Sequence, residues 1–140
     1  MTKKAFISSA YTLGDTCRNV RLQHDVFHIL YELGFIPFAP LWSHYHELIY
    51  PMSWEEWMKW CKAWIESCDV VLRLPGLSNG ADEEVAYAKS LDIVVLSNAL
   101  QIKSYLESHN IMANNKMRRA VLLGKLIDTL HAYDLALKNE

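Results

Sequence analysis

The chain has 140 residues, of which 51% are hydrophobic and 21% are charged, and its formal net charge is −2. A chain of this length forms one domain with its own core, and its apolar runs fall well short of the roughly 20 residues that span a bilayer. The formal charge gives no electrostatic footprint for a polyanion, and the short basic cluster at residues 116–119 is expected to solvate one face of a helix, so we expect no membrane and no polymeric nucleic acid among its partners.

The first third of the chain alternates between strand and helix patterns. Residues 5–8 predict a short buried strand. The apolar run at residues 5–7 is interrupted by the polar Ser8 and Ser9, so it is too short for a secretory signal, and we expect a cytoplasmic protein. The apolar positions of residues 19–33 recur at helical spacing, and Gly34 stands where a C-terminal cap is expected. Residues 35–38 predict the second strand.

The middle of the chain begins with an irregular segment. Residues 39–52 contain two prolines, two histidines and no sustained period, which predicts a long loop that could cover a site. Ser53 and Glu56 have the spacing of a capping box and open a helix that runs to about residue 67. Four tryptophans lie along this helix, and we expect them mainly in the core: Trp54, Trp57, Trp60 and Trp64.

The remaining elements continue the alternation and end in helices. Strands are predicted at residues 69–74 and 93–96, and helices at 81–90, 99–108 and 116–137. Strands that alternate with helices build parallel sheets. We therefore predict an α/β protein: a Rossmann-like or flavodoxin-like parallel sheet of four to five strands, flanked by helices. It forms a single domain over residues 1–140, with residues 99–140 as a helical C-terminal extension.

The cysteines and histidines predict neither a disulfide framework nor a metal site. The three cysteines, Cys17, Cys61 and Cys68, are odd in number and form no CxxC pair, which favours reduced packing residues. His44 and His46 share a face if the chain is extended, yet two histidines without a third ligand make a weak metal site. We expect no metal and no cofactor.

The candidate chemistry lies in the glycine-rich turn that follows the third strand. Gly76 and Gly80 let the backbone approach a ligand, while Ser78 and Asn79 supply side-chain donors, and Asn79 could cap the following helix. Such a turn lies at the carboxyl edge of a parallel sheet, where ligands bind, and it suits a phosphate or a sugar hydroxyl. Its spacing matches neither a P-loop nor the GxGxxG fingerprint.

Three acids, Asp82, Glu83 and Glu84, occupy the first turn of the helix that follows. The positive end of the helix dipole favours their ionised form, and an ionised carboxylate can attack an electrophilic carbon. The alternative is that the acids only complement the dipole.

Three segments resemble the nucleoside 2-deoxyribosyltransferase superfamily, which includes nucleotide N-glycosidases. They are Ala5-Phe6-Ile7-Ser8-Ser9-Ala10-Tyr11-Thr12, Cys68-Asp69-Val70-Val71-Leu72 and Gly80-Ala81-Asp82-Glu83-Glu84-Val85-Ala86-Tyr87-Ala88. In that family the nucleophilic glutamate stands four residues after a glycine, which is the spacing of Gly80 and Glu84. The chain departs from the family pattern at Ser9, Ala10, Ala81 and Ala86. Residues 73–76 look most like a small, phage-associated branch.

The resemblance implies cleavage or transfer at the N-glycosidic bond of a nucleoside or nucleoside 5′-monophosphate. Glu84 would attack the anomeric carbon, and water or another base would resolve the intermediate. Asp69 would help orient the substrate or the leaving base, although a helix-to-strand cap explains Asp69 equally well. Family members pair their subunits, so a homodimer or larger homo-oligomer is expected.

Further side chains are candidates for substrate binding. Ser8, Ser9 and Tyr11 could contact the sugar or a phosphate, or could simply satisfy the turn backbone. Arg18 could pair with a 5′-phosphate or be a surface residue, and Asn19 faces the same loop. A base could stack on one of the helix tryptophans, or on Trp42 or Tyr45. The predicted substrate-binding residues are therefore Ser8, Ser9, Tyr11, Arg18, Asn19, Ser78, Asn79 and Gly80.

Two other classes of function remain open. The chain could be a non-catalytic nucleotide-binding module that recruits a partner through its C-terminal helices. It could also be a purely structural oligomer, because the apolar stripe of the last helix needs either the sheet or a second subunit to cover it.

Overall fold

The computed structural model describes residues 2–113 and 116–139, with the backbone alone at residues 116 and 117. The described chain alternates strands and helices and ends in two helices. The strands are β1 (Lys4–Ser8), β2 (Ile36–Phe38), β3 (Val70–Arg73) and β4 (Val94–Leu96). The helices are α1 (Thr16–Leu33), α2 (His44–Ile49), α3 (Trp54–Ile65), α4 (Asn79–Ser90), α5 (Ala99–Ser108) and α6 (Lys116–Lys138).

The four strands form one parallel sheet in the order β2-β1-β3-β4. This confirms the predicted α/β fold with a parallel sheet flanked by helices. The chain leaves β1 towards one edge of the sheet to reach β2, whereas β3 and β4 lie on the other side. In such sheets the connections that follow two neighbouring strands run in opposite directions at this switch point and leave a crevice outside the carboxyl ends of the strands.

Alternate side chains of the strands point to opposite faces of the sheet, and each face is covered by helices. Ile7 and Leu72 belong to the larger core, which α1, α5 and α6 complete, while Phe6 and Val71 belong to a smaller core against α3 and α4. The sheet is therefore buried on both faces, which explains why its strands read as continuous apolar runs.

The helix ends follow the residues that predicted them. Gly34 ends α1 in the left-handed region at φ 106°, and its N–H donates to the carbonyls of Leu30 and Tyr31. The Ser53 hydroxyl accepts from the Glu56 N–H at 3.1 Å, and the Glu56 carboxylate accepts from the Ser53 N–H at 2.7 Å. Both the C-terminal cap and the capping box are thus confirmed.

The segment predicted as a long loop is largely helical, so that prediction was wrong. A short 3-10 turn at Pro40–Ser43 leads directly into α2, which has no buried residue. A helix of six residues without a buried side chain shows no readable apolar period. Three large side chains of α2 and one that follows it directly are exposed: Tyr45, Leu48, Ile49 and then Tyr50.

The expectation that the tryptophans of α3 belong to the core was also wrong. The fully buried side chains of this helix are Met58 and Ile65. Trp54 and Trp64 are about half exposed, at 51% and 45%. Trp60 and Trp64 instead pack around the Phe38 ring, with ring centroids 5.6 and 4.8 Å away.

The apolar stripe of α6 packs within the chain itself. Leu122, Leu123 and Leu126 are buried in the larger core together with α1 residues, and Tyr133 continues the same face. The neighbouring Ile127 points outward. No helix in the described part of the chain is both long enough and apolar enough to cross a membrane.

Candidate active site

A cavity of about 730 Å³ opens at the carboxyl edge of the sheet, beside the ends of β1 and β3. Its walls come from the loop after β1, the 3-10 turn with α2, the inner face of α3, and the turn that leads into α4. The polar side chains that line it are Ser9, Tyr11, Thr12, Gln23, Ser43, Glu47, Cys61, Ser78, Asn79, Asp82 and Glu84. The apolar part includes Leu41, Met52, Trp54, Trp57 and Met58.

Glu84 is the buried carboxyl group of this cavity, with only 6% of its surface exposed. It lies on α4, whose N-terminal turns cross the end of β1. The Ser8 hydroxyl, at the last position of β1, donates to Glu84 Oε1 at 2.8 Å. The Cys61 thiol on α3 also donates a hydrogen bond to the Glu84 carboxylate. Three elements therefore fix one carboxyl group at the cavity wall.

The surroundings of Glu84 shift its ionisation towards neutral pH. Burial raises the pKa of Glu84 from its ordinary value of 4.5 to about 7, while the hydrogen bonds from Ser8 and Cys61 and the Arg73 guanidinium oppose the rise. Burial and the adjacent Glu84 raise the pKa of the Cys61 thiol well above its ordinary range, so this thiol stays protonated as a donor. A carboxyl group tuned in this way is typical of functional sites.

Arg73 braces the turn between β3 and α4. Its guanidinium donates to the carbonyls of Leu74 at 2.5 Å and Gly76 at 2.8 Å, and to Asp82 Oδ1 at 3.2 Å. Gly76 adopts φ 113° in this turn, a conformation that favours glycine. The bracing fixes the direction in which α4 starts, and with it the position of Glu84.

The helix cap of α4 is Ser78 and not Asn79, which corrects the sequence prediction. The Ser78 backbone is extended, and its hydroxyl accepts from the Ala81 N–H at 3.1 Å. Asn79 is the first helical residue, with its side chain in the cavity lining. A serine hydroxyl reaches the third helical N–H from the cap position, which leaves Asn79 available to a ligand.

Two buried amides on α1 hold the loop that follows β1. The Asn19 side chain donates to the carbonyls of Tyr11 and Leu13, both at 2.9 Å, and accepts from the Tyr133 hydroxyl at 2.5 Å. Gln23 donates to Ser9 Oγ at 2.9 Å and accepts from the Leu41 N–H at 3.1 Å. These bonds fasten the loop after β1 and the 3-10 turn, which form two of the cavity walls, to α1.

A second carboxylate, Glu47 of α2, faces the cavity from the opposite wall. It accepts hydrogen bonds from the Met52 N–H at 3.0 Å and from the Trp57 indole N–H at 2.5 Å. These bonds lower the pKa of Glu47, so it is ionised at neutral pH. The Tyr11 hydroxyl forms a short hydrogen bond with His44 Nδ1 nearby and ties the first loop to α2.

The structure brings six of the predicted site residues to the cavity wall: Ser9, Tyr11, Ser78, Asn79, Gly80 and Glu84. Ser8 lies directly behind the wall, where it holds Glu84. Asn19 is buried and acts on the backbone of the loop, so it supports the wall without belonging to it.

Asp69 and Arg18 are not brought to the cavity, which corrects two of the predictions. Asp69 precedes β3 and therefore lies at the amino edge of the sheet, where its carboxylate accepts from the Lys4 N–H at 2.8 Å. Asp69 therefore joins the starts of β3 and β1 instead of contacting a ligand. The Arg18 side chain is exposed on the first turn of α1, outside the cavity lining.

Among the site residues that sequence reasoning missed are Gln23, Cys61 and Glu47. Gln23 could have been found from the helical pattern of α1. Asn19 and Gln23 are polar residues at positions that continue the buried apolar stripe of Val26 and Leu30, and such residues often have a functional or structural role. Cys61 was predicted as a packing residue, and Glu47 lies in a segment without a period. Their roles depend on long-range packing that leaves no local signal.

The cysteines and histidines add no metal centre. Among residues 2–113 and 116–139, no group of three or more His, Cys, Asp or Glu side chains is placed to hold a metal ion. His44 contacts Tyr11 and His46 packs edge-on against Trp57. All three cysteines are free thiols, and Cys17 is exposed, so its predicted packing role was wrong.

Fold and site together define a parallel α/β domain with a carboxyl-lined cavity at its switch point. The family described as "Domain of unknown function (DUF4406)" matches residues 9–97, and the chain belongs to this family. The matched segment contains every residue of the cavity wall named above. Neither a curated protein nor a solved structure matches the chain.

Proposed function

We propose that the protein cleaves or transfers the N-glycosidic bond of a nucleoside or nucleoside 5′-monophosphate, with Glu84 as the nucleophile. The observation that carries the proposal is the Glu84 carboxyl group, buried at the wall of a 730 Å³ cavity and held by Ser8. A cavity of this size accommodates a ligand as large as a nucleoside. The resemblance of residues 80–88 to the glutamate motif of the nucleoside 2-deoxyribosyltransferase superfamily supports the same residue.

The reaction proceeds in two displacements. A Glu84 oxygen forms a bond to the anomeric carbon, the bond from that carbon to the base nitrogen breaks, and the base leaves with its electron pair and takes up a proton from the solvent. Water or a second base then attacks the same carbon and loses a proton to the solvent, and the bond from the carbon to the Glu84 oxygen breaks, which restores the carboxylate. Positive charge develops on the sugar in each step, and an adjacent carboxylate stabilises it.

Ser8 and Cys61 orient the carboxylate for this attack. Each donates one hydrogen bond to Glu84, so they restrict its rotation and stabilise the charged form that the attack requires. Trp54 and Trp57 offer aromatic faces at the cavity wall on which a base can stack. The Ser78–Gly80 turn offers hydroxyl, amide and backbone N–H groups to the sugar.

The test is release of free base. The purified protein is incubated with the common ribo- and deoxyribonucleosides and their 5′-monophosphates, with and without a second base, and the products are separated by chromatography. We expect release or exchange of the base from at least one compound, and at least about a hundredfold loss of rate in Glu84→Gln. No release from any compound favours the non-catalytic nucleotide-binding module. Release that survives Glu84→Gln contradicts Glu84 as the nucleophile.

We also propose that the protein acts as a homodimer or larger homo-oligomer in the cytoplasm. Exposed large side chains on α2 and at its end support a self-association surface next to the cavity: Tyr45, Leu48, Ile49 and Tyr50. Light scattering during size-exclusion chromatography should show a dimer for the wild type and a monomer for Leu48→Asp. A monomeric wild type at all concentrations would contradict this proposal.

A further inference from the structure

Three carboxylates line the cavity from two sides. Glu84 and Asp82 lie on the first turns of α4, and Glu47 projects from α2 on the opposite wall. Hydrogen bonds from Met52 and Trp57 favour the charged form of Glu47. A ligand that carries negative charge therefore meets carboxylates on both walls.

The cationic side chains next to this region are committed to other groups. The Arg73 guanidinium donates hydrogen bonds to the carbonyls of Leu74 and Gly76 and to the Asp82 carboxylate. Lys62 pairs with Glu83 at 2.6 Å on the outer side of α4 and α3. Asp82 thus neutralises the Arg73 guanidinium, which could otherwise turn towards a phosphate near the turn.

The N-terminus of α4, which would favour an anion, is already partly compensated. The Ser78 hydroxyl and carbonyl accept from the N–H groups of Ala81 and Asp82. The Asp82 carboxylate lies on the same first turn, where it balances the positive end of the helix dipole. The remaining N–H groups suit a neutral hydroxyl better than a second full negative charge.

We propose that Asp82, assisted by Glu47, makes the cavity selective for an uncharged nucleoside and rejects the 5′-monophosphate of the same nucleoside. The inference rests on the proposed function and narrows its substrate class. A nucleoside monophosphate carries up to two negative charges at neutral pH, so repulsion by the Glu47 carboxylate weakens its binding. Asp82 adds to this effect because its ion pair with Arg73 keeps that guanidinium away from the phosphate, while the uncharged nucleoside is little affected. Asp82 and Glu47 are then specificity-determining residues.

The experiment compares paired ligands by calorimetry. Glu84→Gln serves as the background, because it keeps the shape of the cavity and removes the nucleophile, so that turnover of the ligands during the titration is slow. Each common nucleoside is titrated beside its own 5′-monophosphate, at low and at high salt. The same titrations use variants that also carry Asp82→Asn or Glu47→Gln. Glu107→Gln is the matched control, since it removes one exposed carboxylate of α5 outside the cavity lining.

We expect the nucleoside to bind at least about tenfold more tightly than its monophosphate at low salt, with a smaller ratio at high salt. Asp82→Asn should reduce the ratio to about threefold or less by strengthening monophosphate binding, and Glu107→Gln should leave it unchanged. Equal or tighter binding of the monophosphate overturns the inference, as does a ratio that neither Asp82→Asn nor Glu47→Gln alters.

The outcomes separate this inference from the proposed function. If base release occurs mainly from monophosphates, the selectivity is contradicted while the N-glycosidic reaction stands. If the protein neither binds nor cleaves any nucleoside or monophosphate, both are overturned. Preferential nucleoside binding without base release supports the selectivity and contradicts the reaction.

Discussion

Glu84 combines two properties that follow from one cause. The Glu84 side chain is packed at the cavity wall, where Ser8 and Cys61 donate hydrogen bonds to it. This packing removes its carboxyl group from water, which raises its pKa to about 7. When such a carboxyl group ionises, the folded state loses stability, and the carboxylate becomes able to act as a nucleophile. Both effects can be measured separately in the same variant.

The first prediction concerns the pH dependence of folding stability. Because the pKa of Glu84 is raised in the folded state, the folded protein binds more protons than the unfolded chain between about pH 4.5 and 7. The contribution of Glu84 to stability is fully present below pH 4.5 and is lost as pH rises through 7, by up to about 3 kcal/mol. Glu84→Gln cannot titrate, so its stability relative to wild type should rise over this window.

Urea denaturation of both proteins at pH 5, 6, 7 and 8 checks this prediction. The difference in the free energy of unfolding should favour Glu84→Gln increasingly up to about pH 7 and then become constant. Glu107→Gln, which changes the net charge of the chain equally, controls for charge alone. A difference that stays constant from pH 5 to pH 8 would contradict the raised pKa.

The second prediction concerns the pH dependence of base release. A nucleophile must be ionised, so kcat/KM should rise about tenfold per pH unit below 7, pass its midpoint near pH 7 and become flat above it. Removal of a donor destabilises the carboxylate, so Cys61→Ala should move the midpoint to higher pH. Cys61→Ser retains a donor and should lie closer to wild type.

The measurement is an initial-rate profile for the best substrate from pH 5 to pH 9. A rate that falls as pH rises through 7 would show that the protonated form of Glu84 is active, as for a general acid. Identical midpoints for Cys61→Ala and wild type would show that the thiol does not act on Glu84.

Among the elements, the end of α1 depends on a single glycine. Gly34 adopts φ 106°, and a Cβ atom there would lie 3.0 Å from Ile111 Cγ2 and 3.2 Å from the Met112 carbonyl oxygen. Both the backbone conformation and the space therefore require glycine. The turn it makes directs the chain into β2 and sets the register of the sheet edge.

The third prediction is that Gly34→Ala destabilises the protein by about 1–3 kcal/mol, because alanine in this conformation is strained and contacts Ile111. Gly124→Ala provides a matched control. Gly124 lies within α6, where an added Cβ meets nothing within 4 Å, so alanine should stabilise by up to about 1 kcal/mol through helix propensity. Thermal denaturation of the two variants should show shifts of opposite sign; shifts of the same sign would contradict the argument.

How far the sequence predicts an element depends on whether the signal is local. Gly34, the Ser53 cap and the alternation of strands and helices are local signals, and each predicted its element. Residues 40–49 form helix without a period, because α2 has no buried face to create one. Asp69 was assigned to the site although it precedes its strand, which places it at the edge opposite the carboxyl ends.

The candidate site shows the same division. The turn before α4 was predicted because it follows a strand of a parallel sheet, whereas Glu84 was singled out by the resemblance of residues 80–88 to the glutamate motif of the superfamily. Glu47 and Cys61 reach the cavity only because α2 and α3 fold across it, which depends on contacts between distant parts of the chain. Such contacts are not encoded in any short segment.

For the molecule as a whole, the relation of α6 to the rest matters most. The family match ends at residue 97, yet α6 completes the larger core against α1, and Tyr133 donates to Asn19, which holds the loop of the cavity. We therefore expect the last helix to unfold in the same cooperative unit as the site. The alternative role of a separate recruiting segment requires a helix that can leave without disturbing the sheet.

The fourth prediction separates these views with two neighbouring residues of α6. Leu126 is 0% exposed in the larger core, so Leu126→Ala should destabilise by about 2–5 kcal/mol, while Ile127, which is 53% exposed, should tolerate alanine within about 0.5 kcal/mol. All five tryptophans lie between residues 42 and 64, so their fluorescence reports on the sheet and α3 rather than on α6. If α6 is integral, the fluorescence transition of Leu126→Ala moves to lower denaturant together with the loss of helical circular dichroism. If helical signal is lost while the tryptophan transition stays at the wild-type position, α6 unfolds on its own and the site does not depend on it.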